Sequence, residues 1–472
     1  MGPEPLGIIS AALAFSTIFM GFASLGYGVA HVKKVSEGKD LGKCIGTFAV
    51  VKSVLVTLIG LICFLTIFYL DKSGQKLPVP EEYIAVMYII LAVSMIGGYS
   101  RIAQVTFAAR MEKAKEWTSI ISTKFITSIL KAFTAITGLS VIFLAWSALA
   151  GALVGAGIAF WFLLRLPINR FDPALFREYT RYALPAFVIG ISATIGQQLD
   201  KLFISMFSNV EQVGYYAGAK AIVQVITFIS IIFVSLLLPT YSRLHAENNI
   251  EGIRNFAQRI ERYISFPLVS AGMFIFFFST PIQQMLLGGE FGPSSVIVKI
   301  LIVNSMLLIF AQPYTAQIMG MNKIKLAAIL SIMYVVLNSV FYVILIPENL
   351  FNYTLFGLGA FGAALALLFT TSINMLIFRY YAFRLTGSKP NYIIIFHWLY
   401  SSLVFGSLYY LLRDWSLLSN IFVLGSIALF GGALFISLLI LTKQFTRSDF
   451  IFYRDTINPG TLGRYVKEEV EN

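Results

Sequence analysis

Seven basic side chains stand inside long apolar runs of this 472-residue chain: Lys52, Arg101, Lys124, Lys131, Lys201, Lys220 and Lys299. One acid, Asp200, lies well inside such a run. A Lys or Arg at the centre of a bilayer costs about 2.5–3.5 kcal/mol on insertion scales, so each must reach the interface or face a polar cavity. Depth separates the cases. Lys201 and Lys299 sit near run ends, where the aliphatic stem carries the ammonium out to water. Arg101 is also near an end, and Lys220 is somewhat deeper, so both readings stand for each. Lys52 is about 12 Å in at 1.5 Å per residue, and Lys131 is near the middle. Lys124 and Lys131 are seven apart and share a helix face with Ser128. Lys52, Arg101, Lys124, Lys131 and Lys220 form the candidate cavity set. Positive charge with little negative charge beside it attracts an anion through charge-assisted hydrogen bonds. Asp200 is a candidate for holding a coupling cation or proton. The structural alternative is an ion pair with Lys201 or Lys220.

The elements that must position these groups are membrane spans. The chain is 58% hydrophobic and 12% charged, with a mean hydropathy of +0.80, whereas a soluble domain carries about 25% charged residues. Thirteen apolar segments, roughly 7–30, 44–70, 83–107, 117–144, 146–164, 183–206, 214–238, 264–287, 295–319, 325–346, 358–382, 393–412 and 419–441, match a bilayer span in length. They are apolar on every face, which excludes a barrel of short alternating strands. Twenty-five of the 35 Lys and Arg fall in one alternating set of loops and the tail, and only Lys72, Lys76 and Arg413 fall in the other set. That split orients the chain with its C-terminus in the cytoplasm and, with thirteen spans, the residues before the first span outside. The net charge of +12 therefore calls for no nucleic acid.

Catalytic chemistry finds no support. Cys44 and Cys63 lie in apolar runs with no CxxC or Cys/His cluster. His31, His245 and His397 are far apart, and there is no HExxH, GxSxG or P-loop. The largest outer loop, about 71–82, is too short for an enzyme's outer domain. No cofactor and no metal site are expected.

Two connections have the pattern of surface helices. In 172–183, Asp172 caps and Pro173 takes the first helical position. In 252–264, Ile253, Phe256, Ala257, Ile260 and Ile264 share a face away from Arg254, Arg259 and Arg262. Gly97-Gly98, Pro281 and Pro313 mark possible kinks, and Gly151 and Gly155 form a GxxxG suited to close packing within the monomer. Leu6-Gly7-Ile8-Ile9 and Val213-Gly214-Tyr215-Tyr216 open two spans alike, a weak internal repeat of the kind transporters are built from.

Several segments carry a family resemblance. Gly2-Pro3-Glu4-Pro5-Leu6-Gly7 resembles the loop after the first helix of polysaccharide-type flippases in the multidrug/oligosaccharidyl-lipid/polysaccharide exporter superfamily. Gln197-Gln198-Leu199-Asp200-Lys201-Leu202-Phe203-Ile204 is similar to that family's seventh helix, and Val213-Gly214-Tyr215-Tyr216-Ala217-Gly218-Ala219 to its vGxYsaA element. Leu238-Pro239-Thr240-Tyr241-Ser242-Arg243-Leu244 resembles its lfPxxSrl loop, and Gly357-Leu358-Gly359-Ala360-Phe361-Gly362-Ala363-Ala364 the start of its twelfth helix. The segments follow the family's order over nearly the whole chain.

The resemblance implies an all-α polytopic membrane protein with two pseudo-symmetric lobes around a central cavity. Residues 1–171 would form the N-lobe, 172–182 a cytoplasmic linker helix, 183–392 the C-lobe, 393–441 two additional helices and 442–472 a cytoplasmic tail. Thirteen helices in place of the family's fourteen would mean that the first has no counterpart here. The implied activity is alternating access that moves a lipid-linked oligosaccharide or polysaccharide precursor from the cytoplasmic to the outer leaflet of the cell membrane. The phosphate or pyrophosphate joining lipid to sugar suits the cationic set. Asn338 lies where the lipid II branch of the superfamily looks similar and contributes a sodium ligand. Tyr342 stands one turn on in place of a second acid, so Na+ and H+ both remain open as the coupling ion at Asp200 and Asn338. The partners implied are the lipid-linked saccharide and membrane lipids, with the protein a monomer. The alternatives are an organic-cation exporter of the same superfamily and a passive lipid scramblase.

Overall fold

A computed structural model describes residues 2–414, 416–445, 449 and 450, and within helices 173–207, 225–246 and 324–345 some side chains are also outside the description. Most of the tail expected at 442–472, including Arg447, Arg454, Arg464 and Lys467, lies outside the described residues.

Sixteen α-helices follow one another among the described residues: α1 (Pro3–Phe22), α2 (Tyr27–Ser36), α3 (Leu41–Lys72), α4 (Ile84–Ala109), α5 (Lys113–Ile136), α6 (Val141–Leu163), α7 (Pro173–Phe207), α8 (Val210–Val223), α9 (Val225–Ala246), α10 (Ile250–Phe277), α11 (Ser279–Leu287), α12 (Ser294–Gly320), α13 (Ile324–Leu345), α14 (Gly359–Thr386), α15 (Ile393–Leu412) and α16 (Ile421–Leu441). A two-stranded hairpin, β1 (Asn349–Leu350) with β2 (Tyr353–Thr354), joins α13 to α14. Eleven helices among the described residues are long and apolar enough to cross a membrane. The protein is a multi-pass helical membrane protein. The expected count of thirteen includes 183–206 and 214–238, which fall on α7 and on α8 with α9, where part of the sequence is outside the description.

Several ends follow from local chemistry. Asp172 accepts from the backbone N–H groups of Ala174 and Leu175, and Pro173 follows it at the first helical position. The helix so started runs without a break to Phe207. The expected first span, 7–30, is interrupted. α1 ends at Phe22, and a turn closed by Gly26 at φ +73 starts the short α2. A side chain at Gly26 would collide with the Ala183 carbonyl, so both the backbone angle and the space call for glycine there.

The chain divides into two compact units. One holds the residues up to Gly218 together with Ala328–Thr370, the other Ala219–Ala327 together with the residues from Thr371 on. In the first, α1 packs on α4 and α7, α3 on α4, and α6 on both α4 and α5. Its core includes Tyr27, Ile45, Phe48, Phe107 and Tyr179. In the second, α10 packs on α9, α12, α15 and α16. The expected surface helix 252–264 is corrected here. It is the first half of the continuous α10, and Ile253, Ala257, Ile260 and Ile264 are buried against protein neighbours.

Candidate functional site

Of the expected cationic set, Lys52, Arg101, Lys124 and Lys131 all belong to the first unit, on α3, α4 and α5. Lys52 is 7% exposed, and its ammonium donates to the Ala23 carbonyl at 2.9 Å. That carbonyl closes α1, where the interruption before α2 leaves oxygen lone pairs free and the helix dipole is negative. One N–H of Lys52 thus caps a helix, and two remain for another acceptor. Arg101 is exposed and close enough for its charge to act on Lys52.

Lys124 is exposed and Lys131 half-buried on α5. α5 is drawn close to α6 because Gly151 and Gly155 leave room for Thr127 and Thr123. The Ser119 hydroxyl also donates to the Gly155 carbonyl at 2.9 Å. The GxxxG therefore packs within the chain and sets the helix that carries the two lysines. Among the described residues none of these four cations forms an ion pair with a carboxylate. Lys220, the fifth, lies half-buried on α8 in the second unit.

Asp200 and Asn338 enter one buried polar cluster of the first unit. Asp200 is 1% exposed on α7. Its Oδ2 accepts from the Tyr216 hydroxyl of α8 at 2.8 Å, and its Oδ1 from the Lys201 backbone N–H at 2.8 Å. Asn338, on α13, donates from Nδ2 to the Tyr342 hydroxyl at 3.0 Å and accepts at Oδ1 from the Thr370 hydroxyl of α14 at 3.3 Å. The Asp200 charge reaches both Tyr216 and Tyr342. Sequence reasoning named the acid and the amide but not Tyr216 or Thr370. Tyr216 stands in the vGxYsaA-like segment, but nothing along the chain links it or Thr370 to Asp200 and Asn338, because they come from other helices.

A second buried acid was missed. Glu261 falls within the segment expected as a surface helix, yet on α10 of the second unit it is 2% exposed. Its carboxylate accepts from the Tyr314 hydroxyl of α12 and, at 3.1 Å, from the Asn391 backbone N–H ahead of α15. Arg379 of α14 lies 5.5 Å from the Tyr314 ring centroid. A signal for Glu261 does exist in the sequence. It falls in the same apolar stripe as Ala257 and Ile264, at spacings of four and three.

The fold is similar to that of solved lipid-flippase and multidrug-transporter structures. The lipid II flippase MurJ in an inward closed conformation matches with a TM-score of 0.67 at 14% identity, over 97% of this chain and 98% of that one. An inward-facing multidrug resistance MATE family transporter of the MOP superfamily matches with a TM-score of 0.65 at 16% identity, over 82% of this chain and 92% of that one. A MATE in complex with MaD3S matches with a TM-score of 0.51 at 16% identity, over 82% and 90%. At these identities the likeness is one of fold. A search of curated protein sequences gives no match. Residues 1–296 match the family model described as polysaccharide biosynthesis protein, and the chain belongs to that family.

Proposed function

We propose that the protein moves a lipid-phosphate-linked oligosaccharide or polysaccharide precursor from the cytoplasmic to the outer leaflet by alternating access. Residues 1–171 and 183–392 act as the lobes, 172–182 as the link, and the helices of 393–441 as additions to them. The C-terminus is cytoplasmic, as the loop charges require. The observation that supports this substrate class is the set of Lys52, Arg101, Lys124 and Lys131. They stand in three consecutive spanning helices without a carboxylate partner among the described residues. Cations left unpaired at this depth need an anion, and a phosphate or pyrophosphate accepts from several at once. An organic cation would be repelled by the same groups.

Asp200 and Asn338 contribute the coupling site for Na+ or H+ in this reading, through their place in the buried cluster with Tyr216, Tyr342 and Thr370. Export that follows neither a sodium gradient nor a pH gradient would overturn that assignment.

The substrate assignment is tested by Lys124→Gln with Lys131→Gln in cells, with appearance of the lipid-linked sugar in the outer leaflet as the readout. Losing two charge-assisted contacts should cut export about tenfold or more at unchanged protein level. Export at the normal rate would remove the phosphate reading. Loss of resistance to cationic drugs in cells lacking the protein would favour the organic-cation exporter.

A further inference from the structure

A cavity of about 320 Å³ opens within the second unit, bordered by α10, α12, α14 and the start of α15. Its wall is mostly apolar, with Asn391 and two opposite charges, Glu261 and Arg379, among the lining residues. Leu307, Phe310 and Ile395 supply apolar lining, and the indole of Trp398 adds an amphipathic group of the kind found at membrane boundaries. Ile395 is 56% exposed, and Phe396 and Leu399 beside it are exposed too, so the apolar lining continues onto the outer surface of α15. The cavity lies at the ends of these helices that carry basic loops, next to a second, polar recess formed by Asn255, Gln258, Arg259 and Arg262.

Two opposite charges in an apolar wall would ordinarily close on each other. Here Glu261 and Arg379 attract each other, but no ion pair within 4.0 Å joins them. The carboxylate is held back by Tyr314 and by the Asn391 N–H. The guanidinium stays over the Tyr314 ring, and its Nε is buried with no hydrogen-bond partner. Both charges are fixed by other groups and face one space, so they are complementary to a ligand with the opposite pair.

We propose that this cavity binds a phospholipid headgroup carrying a primary ammonium and a phosphate, as in phosphatidylethanolamine. The phosphate takes the Arg379 fork, and the ammonium donates to Glu261. The two lie on one short headgroup and need no further counter-ion. The acyl chains leave along Leu307, Phe310 and Ile395 toward the exposed face of α15. The headgroup is distinguished from phosphatidylcholine by N–H donors, which a quaternary ammonium lacks, and from phosphatidylglycerol by its positive charge opposite Glu261. The site shares no residue with the cations of the first unit, so it stands or falls separately from the transported substrate.

The test uses the purified full chain, stripped of lipid in detergent and titrated with phosphatidylethanolamine, phosphatidylglycerol or phosphatidylcholine of matched acyl chains. Bound lipid is counted by native mass spectrometry. Phosphatidylethanolamine should bind about tenfold tighter than phosphatidylcholine, the worth of one charge-assisted hydrogen bond to a buried group. Glu261→Gln should abolish that preference and leave phosphatidylglycerol binding intact or improved. Arg379→Gln should weaken all three. Equal binding of the three lipids to the unaltered protein overturns the proposal, as does a preference for phosphatidylglycerol alone or a preference that survives Glu261→Gln. Stepwise N-methylation of the headgroup gives a reading that needs no variant. Affinity should fall with each N–H lost, and a flat series overturns the proposal.

Discussion

His31 sits on α2 outside the spans, fully buried where α2 meets α3, α4 and α7. Its ring stacks on Phe48 with centroids 4.4 Å apart. Nε2 lies 3.1 Å from the Thr106 hydroxyl, which already donates to the Ile102 carbonyl at 2.7 Å. Thr106 must therefore accept, so Nε2 carries the proton and Nδ1 accepts from the Tyr179 hydroxyl at 3.0 Å. The Cys44 backbone carbonyl favours a second proton on the ring, but burial outweighs it. Burial accordingly lowers the His31 pKa from 6.5 to about 3. Because the folded value is depressed, the unfolded chain takes up the proton first. The stabilisation is complete above pH 6.5 and is lost as pH falls from there toward 3. Thermal unfolding followed in detergent should show a loss of stability below about pH 6.5 that is smaller in His31→Gln by roughly 1 kcal/mol per pH unit. An equal pH slope in the two proteins would show that the ring is protonated in the fold without cost. The Lys34, Glu37 and Glu178 cluster nearby titrates in both proteins and cancels in the comparison.

At the scale of elements, the two glycines spaced four apart on α6 decide where α5 can lie. A side chain at Gly155 would meet Thr123 Oγ1 and the Ser119 carbonyl, while Gly157, two residues on, has nothing within 4 Å. Gly155→Ala should therefore cost about 1–3 kcal/mol by overpacking, and Gly157→Ala should be neutral or stabilise by up to about 1 kcal/mol. The midpoint of heat-induced aggregation by size exclusion separates them, and equal midpoints would mean that α5 yields freely. This packing was legible in the sequence because small residues at that spacing have one use between helices. The glycines of the two similar openings also have a packing use. Gly7 of α1 and Gly214 of α8 meet reciprocally, Gly7 against Val210 and Gly214 against Pro3, so the two similar openings cross each other. The apolar stripe of α10 misled because a lipid surface and a protein neighbour select the same residues. That ambiguity hid Glu261, while the links of Tyr216 to Asp200 and of Thr370 to Asn338 were not legible because only tertiary packing makes them. The turn at Gly26 could not be read either, since one glycine among 36 carries no local mark of a positive φ.

For the molecule as a whole, charge is distributed by two different rules. Most Lys and Arg obey the rule for loops, which concerns only which side of the membrane a loop occupies. The cations of α3, α4 and α5 are not needed for that, since each spanning helix already has its basic loop at one end. The loop rule alone therefore sets orientation, and it can be tested without touching the site. Gln75 stands exposed in the loop of Lys72 and Lys76, and Asn322 stands exposed in the loop of Lys323 and Lys325. Cys44 and Cys63 are buried and give little background to a thiol reagent. In intact cells a membrane-impermeant maleimide should label Gln75→Cys and leave Asn322→Cys unmodified until the membrane is opened. The reverse pattern would place the basic loops outside. It would then turn the substrate's path round, since the same cations would meet an outer-leaflet lipid first.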